Sequence, residues 1–144
     1  MKIIQIVGLA NSGKTSFINR LIPVLSLKGS VGVIKHLGDH EYFLEMGKDT
    51  TDFFNAGAQI SVGIDTDKSV MTIRENTLEE ILFLLSEQDI NFVIVEGYKQ
   101  RSFPKIVIGD LIIENCILVN PSIEEVINSL PMFEDFNKIR EIPE

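Results

Sequence analysis

Cysteine is all but missing from this chain. The single thiol, Cys116, lies in an apolar run with no second cysteine to close an internal disulfide. It reads as a small buried residue of a protein kept in a reducing, cytoplasmic setting. Positive charge is also short: 13 Lys and Arg stand against 21 Asp and Glu, a formal net charge of -8. Such a surface repels a phosphate backbone, and with no basic patch to override it, no nucleic-acid partner is expected. There are only four arginines, Arg20, Arg74, Arg101 and Arg140, too few for the lid with which a small-molecule kinase clamps transferring phosphates. No apolar run approaches the roughly 20 residues that span a bilayer, so no membrane association is expected. No signal-peptide pattern precedes the first strand. Repeats, low-complexity tracts and linkers are missing too, and 144 residues suffice for one well-buried domain, read here as 1–144.

What is present begins at Gly8. The stretch Gly-Leu-Ala-Asn-Ser-Gly-Lys-Thr-Ser, Gly8 to Ser16, follows an apolar run and precedes a helical pattern. It fills the pattern GxxxxGK[ST] with Gly8, Gly13, Lys14 and Thr15. Glycines there let backbone N–H groups turn inward, the lysine reaches the β and γ phosphates, and the hydroxyl ligates Mg2+. The helix that follows adds its dipole and unpaired N–H groups, which favour an anion. A nucleotide site over Gly8, Asn11, Ser12, Gly13, Lys14, Thr15 and Ser16 is the expectation. A glycine-rich turn without a ligand is the bland alternative.

Apolar, β-branched runs recur at 3–7, 31–35, 59–64, 69–73, 92–96, 105–108 and 116–119. Several are apolar at consecutive positions, as in strands covered on both faces. A helix is expected from Lys14, with Phe17, Ile18, Leu21, Val24 and Leu25 on one face, a kink at Pro23 and an end at Gly29. A short helix is expected over 49–57. Thr77 with Glu80 and Ser122 with Glu125 form capping boxes that start two more. This alternation predicts an α/β fold: a doubly wound, mostly parallel sheet of P-loop type. Residues 59–73 add an antiparallel hairpin around Asp65-Thr66-Asp67, expected to pair at the sheet edge.

The second half of a nucleotide site falls on Phe92 to Gly97, where four apolar residues lead to Glu96. A carboxylate at that strand end supports the metal or orients a water. Lys35 and His36 end another strand, while Lys99, Arg101 and Lys105 follow the acidic one. The polar connection 36–48 reads as a mobile functional loop at the ligand-binding edge of the sheet, with Lys48 and Asp49 at its end. A metal held by His36, Asp39, His40 and Glu41 is a weaker alternative, because a loop need not face the four one way. The DxxG and NKxD elements of Ras-like GTPases are missing, and the nearest echo of the second, Asn137 to Arg140, ends in Arg. Base-reading chemistry therefore leaves GTP and ATP undistinguished.

Gly8 to Ser16, Val33 to His36, Gly47 to Thr50 with Ala56 to Ala58, and Val95 to Lys99 with Pro104 to Ile106 occur together in the order and spacing of a known family. The chain resembles the molybdopterin-guanine dinucleotide biosynthesis protein B family over about residues 2–109. The resemblance implies a small homodimeric P-loop protein that binds GTP with Mg2+ and hydrolyses it slowly. It also implies an accessory role to the molybdopterin guanylyltransferase, the enzyme that joins GMP to molybdopterin, with the pterin or its carrier as a further partner. Taken together, chemistry and resemblance give Lys14 and Glu96 the catalytic roles and Thr15 and Glu96 the metal. Lys35, His36, Lys48, Asp49 and Lys99 are expected to contact substrate or partner. Two departures stand out: Leu37-Gly38-Asp39-His40 replaces a run with further histidines, and Met46 replaces a proline. The alternatives are a small-molecule kinase, with its acceptor beside Lys99 and Arg101, and an interaction module with a vestigial P-loop.

Overall fold

A computed structural model describes residues 1–137. The chain forms two compact units, one from Met1–His36 with the chain from Leu82 onward, the other Leu37–Ile81.

The first unit is built on β1 (Lys2–Val7), whose five residues Ile3 to Val7 are all buried. Beside it run β5 (Phe92–Glu96) and β6 (Lys105–Val107), flanked in turn by β2 (Val31–Lys35) and β7 (Cys116–Val119). The order β2-β5-β1-β6-β7 is parallel throughout. Apart from Gln5 and Lys105, the buried positions of the central strands are apolar because both faces are covered, whereas the edge strand β2 leaves Val33 exposed. One face carries Ile4, Ile6, Ile94 and Ile106. They pack with Phe17, Ile18, Leu21 and Leu25 of α1 (Lys14–Ser26) and with Val126 of α4 (Ile123–Asn128). The chain goes to one side of β1 for β2 and β5 and to the other for β6 and β7. The reversal of direction therefore falls at β1, and in open α/β sheets ligands bind outside the carboxyl ends of the strands at such a reversal.

Several sequence expectations change in detail. Helix α1 ends at Ser26, before Gly29, and Val24 is only half-buried. Gly29 lies beyond the helix without a left-handed turn; it is needed because a Cβ there would come within 2.5 Å of Asn91 Oδ1. Cys116 is half-buried rather than buried. The stretch after β7 adds to the core through Val126 and Phe133, and β8 (Glu134–Asp135) pairs antiparallel with Lys2 and Ile3. Of the segment Asn137 to Arg140, only Asn137 is among the described residues.

In the second unit, 37–48 contains neither helix nor strand, as its polarity predicts. It is tied down where the Thr51 hydroxyl donates to Glu45 O at 2.8 Å. Helix α2 (Asp49–Asn55) places Asp49 and Asp52 in its first turn, where the dipole favours anions. Strands β3 (Ile60–Ile64) and β4 (Ser69–Ile73) form the expected hairpin, but as a two-stranded sheet of its own rather than as edge strands of the main sheet. The Asp65 carboxylate closes the turn by accepting from Lys68 Nζ and from the amides of Asp67 and Lys68, which hold its pKa below the ordinary value. Helix α3 (Leu78–Glu87) starts in this unit on the Thr77–Glu80 capping box and ends in the other. The Ser122–Glu125 box likewise starts α4.

Candidate functional site

The loop from Gly8 to Gly13 leaves the carboxyl end of β1 and turns sharply. A Cβ at Gly8 would lie 2.3 Å from Ile108 O and 2.7 Å from Ser12 Oγ. Asn11 and Gly13 take φ values of 58° and 94°, left-handed conformations that suit a short polar side chain and a glycine. The Lys14 ammonium reaches back across the loop, donating to Leu9 O at 2.6 Å and approaching Gly8 O at 3.4 Å and Ser12 Oγ at 3.5 Å.

The start of α1 differs chemically from those of α3 and α4. Its N-cap is Gly13, with no side-chain oxygen on the first amides and no acidic residue in the first turn. Helices α3 and α4, by contrast, begin with a capping box and two glutamates each. The first N–H groups of α1 are therefore left for an outside acceptor, next to a lysine already held over the loop. Thr15 and Ser16 stand in that first turn, exposed.

Glu96 ends β5 in register with Ile6 of β1 on one side and Lys35 of β2 on the other. This brings the acidic strand end to the edge from which the Gly8 loop departs. Glu96 is 12% exposed, and its Oε2 lies 3.5 Å from Lys35 Nζ. Beyond it Gly97 and Tyr98 take positive φ of 92° and 52°. The Tyr98 ring stacks on His36, centroids 4.2 Å apart and planes inclined 20°. Lys14, Thr15, Lys35, His36, Glu96 and Lys99 thus belong to one sheet edge, while Lys48 and Asp49 belong to the second unit, at the start of α2. Among the described residues no three His, Cys, Asp or Glu side chains gather to hold an ion, those of His36, Asp39, His40 and Glu41 included.

Lys105 is not at the open end of the site. It is 1% exposed on β6; its Nζ donates to Arg101 O and, at 3.1 Å, to Phe103 O. Burial pushes its pKa down, with Glu114 and Cys116 opposing. Of the other basic groups, Arg20 lies 5.7 Å from the centroid of the Phe17 ring. Arg74 lies over Phe54 at 4.0 Å, with its guanidinium on Phe54 O and Ala58 O. Two residues that the motifs do not mark also shape the edge. Gln5 reaches the turn after Glu96, and the Asn120 amide brackets Gly109 from both sides, at a point where a side chain would crowd Ser12.

Residues 3–127 match the family described as Molybdopterin guanine dinucleotide synthesis protein B, MobB. The chain belongs to the MobB family. It is 37% identical over 111 residues to a putative molybdopterin-guanine dinucleotide biosynthesis adapter protein of Methanocaldococcus jannaschii, a match covering 74% of this chain and 47% of that one. It is 34% identical over 110 residues to a probable adapter protein of the same description from Bacillus subtilis, covering 74% and 64%. The matched region therefore spans from about half to under two thirds of these relatives. Among solved structures, Bacillus subtilis MobB superposes with a TM-score of 0.69 at 29% identity, covering 83% of this chain and 78% of that one. A MobB homologue from Bacillus stearothermophilus gives 0.56 at 26%, covering 97% and 75%. The MobB fold is thus the α/β sheet described above. No helix among the described residues is long and apolar enough to cross a membrane.

Glu96→Gln tests whether this carboxylate serves a metal. The substitution keeps the shape and removes the charge, and the Lys35 side chain it leaves is 55% exposed. The ion pair is therefore worth under about 1 kcal/mol. The expected result is weaker Mg2+-dependent nucleotide binding with an almost unchanged melting temperature. A collapse in stability with intact nucleotide behaviour assigns the carboxylate to the fold instead.

Proposed function

We propose that this chain is a GTP-binding adapter in molybdopterin-guanine dinucleotide biosynthesis, a cytoplasmic homodimer that assists the guanylyltransferase joining GMP to molybdopterin. The observation that carries the reading is the P-loop with the uncapped start of α1 and Lys14 held over it, in a chain whose MobB relatives are described as adapters. Backbone N–H groups of Asn11 to Thr15 receive the phosphates and Lys14 neutralises them. The Thr15 hydroxyl and the Glu96 carboxylate are the oxygen donors suited to Mg2+, which supplies charge neutralisation at the β and γ phosphates. Lys35, His36 and Lys99 face the reaction partner at the same edge.

Turnover in this reading is slow, well below the roughly 1–100 s⁻¹ of kinases. No glutamine or DxxG element positions a water, and Arg20 and Arg74 rest on aromatic rings instead of arming a lid. A P-loop that holds ground state and transition state alike tightens binding without speeding the reaction. Calorimetric titration with GTP and ATP, with and without Mg2+, tests the binding, and single-turnover hydrolysis tests the rate. Tight Mg2+-dependent binding with slow hydrolysis is the expected pair of results. Fast hydrolysis by the protein alone moves the assignment to an enzyme, and absence of binding moves it to an interaction module.

A further inference from the structure

Two polar side chains stand where the sheet otherwise carries Ile and Val. Gln5 on β1 and Lys105 on β6 are register partners, so they sit side by side on one face, 0% and 1% exposed. Both reach the same loop. Gln5 Nε2 donates to Gly97 O and to Tyr98 O, each at 2.7 Å, and Lys105 Nζ takes Arg101 O and Phe103 O. The loop between is closed by Arg101 N donating to Tyr98 O at 2.9 Å. Four carbonyls of 97–103 therefore point inward onto two buried donors. The positive φ values at Gly97 and Tyr98 belong to the turn that aims the first two.

Burying an amide and an ammonium costs more than burying the aliphatic residues found at Ile4, Ile6, Ile106 and Val107. Gln5 even leaves its Oε1 buried without a partner. Stability alone does not account for polar groups at these two positions, whereas fixing the loop does. That loop begins at Glu96, carries the Tyr98 ring that stacks on His36, and presents the exposed Lys99.

The geometry points to Gln5 and Lys105 as positioning residues: a two-pronged latch that holds loop 97–103 so that Glu96 and the His36–Tyr98 stack keep their places at the P-loop edge. The role at that edge rests on the nucleotide-binding reading above; the latch itself does not. Removing Gln5 takes the donor from Gly97 O and leaves Tyr98 O only Arg101 N, and removing Lys105 takes it from Arg101 O and Phe103 O; the released carbonyls turn to water, taking the loop with them.

Lys105→Met and Gln5→Met in the full chain test this, because methionine fills similar space without donors. Should the first fail to fold, the second, made inside an apolar strand, still decides. Amide hydrogen exchange across 97–104 is expected to quicken by about tenfold or more while β1 and β5 stay protected. With the loop released, half-saturating Mg2+ for GTP binding is expected to rise by about tenfold, with nucleotide affinity in EDTA unchanged. Exchange at the wild-type rate in the folded variants overturns the latch. A loosened loop with unchanged Mg2+ dependence overturns the positioning role. A wild-type chain that binds no nucleotide, with a loop that still loosens in the variants, overturns the functional reading and the positioning role with it, and leaves the latch standing.

Discussion

Lys14→Ala is expected to lower the affinity for Mg2+-GTP by about one to two decades, the equivalent of roughly 1.5–3 kcal/mol for a charge-assisted hydrogen bond. The side chain already bends over the loop to Leu9 O at 2.6 Å, so its ammonium sits over the loop that leads into the uncapped start of α1. Little reorganisation is needed for it to meet a phosphate, and most of the lost contact energy appears in binding. The fold should hardly notice. Lys14 lies in the first helical turn, outside the core of Ile4, Ile6, Phe17 and Leu21, and a positive charge at a helix N-terminus opposes the dipole. Calorimetry and thermal melting on the same preparation separate the two effects. Equal affinity in wild type and Lys14→Ala would falsify the phosphate assignment.

Gly8→Ala is expected to damage both stability and binding. A methyl group there meets Ile108 O at 2.3 Å and Ser12 Oγ at 2.7 Å. The hydroxyl can rotate away, but the carbonyl is backbone just past β6, held on one side by Ile108 N donating to Val7 O at 2.9 Å and on the other by Gly109 N, of its own peptide unit, donating to Asn120 Oδ1 at 2.7 Å. Relief therefore requires β1 and β6 to separate where the sheet is fully buried. An overpacking cost of about 3 kcal/mol is expected, equivalent to a fall in melting temperature of about 6–12 °C for a domain of this size. Nucleotide affinity falls with it, because the displaced turn no longer aims the amides of Asn11 to Thr15. Gly13→Ala is the internal control. Its Cβ meets nothing within 4 Å, but its φ of 94° is costly for any L side chain, so a smaller loss of about 1 kcal/mol is expected. Urea unfolding of the two variants ranks them, and a smaller loss at Gly8 than at Gly13 overturns the packing argument.

Much of the architecture was legible because its causes are local. The P-loop is a run of nine residues whose glycines and lysine act on their own stretch of backbone. The Thr77–Glu80 and Ser122–Glu125 boxes close over three residues, and the Asp65 turn closes onto Lys68. Strand runs at 3–7 and 92–96 declare double-sided burial by being apolar at successive positions. Lys105 shows where such reading stops. A lysine three residues after two polar side chains looks solvated, and only the pairing of β6 with β1 buries it and turns it onto Arg101 O and Phe103 O. Gln5 looks like one polar break in an apolar strand until the turn at Gly97 and Tyr98 comes within its reach.

The sequence by itself determined that this chain carries a P-loop between a buried strand and a helix, an acidic strand end to accompany it, and a hairpin at 59–73. Each is written in neighbouring residues through periodicity, capping and turn chemistry. The tertiary structure alone decided that β5 and β6 flank β1, that the hairpin pairs only with itself, that β8 returns to Lys2 and Ile3, and that Gln5 and Lys105 share a loop. Those outcomes depend on contacts between residues tens of positions apart. Such contacts follow from which apolar faces cover one another and which buried polar groups find partners, and no local window of the chain records either.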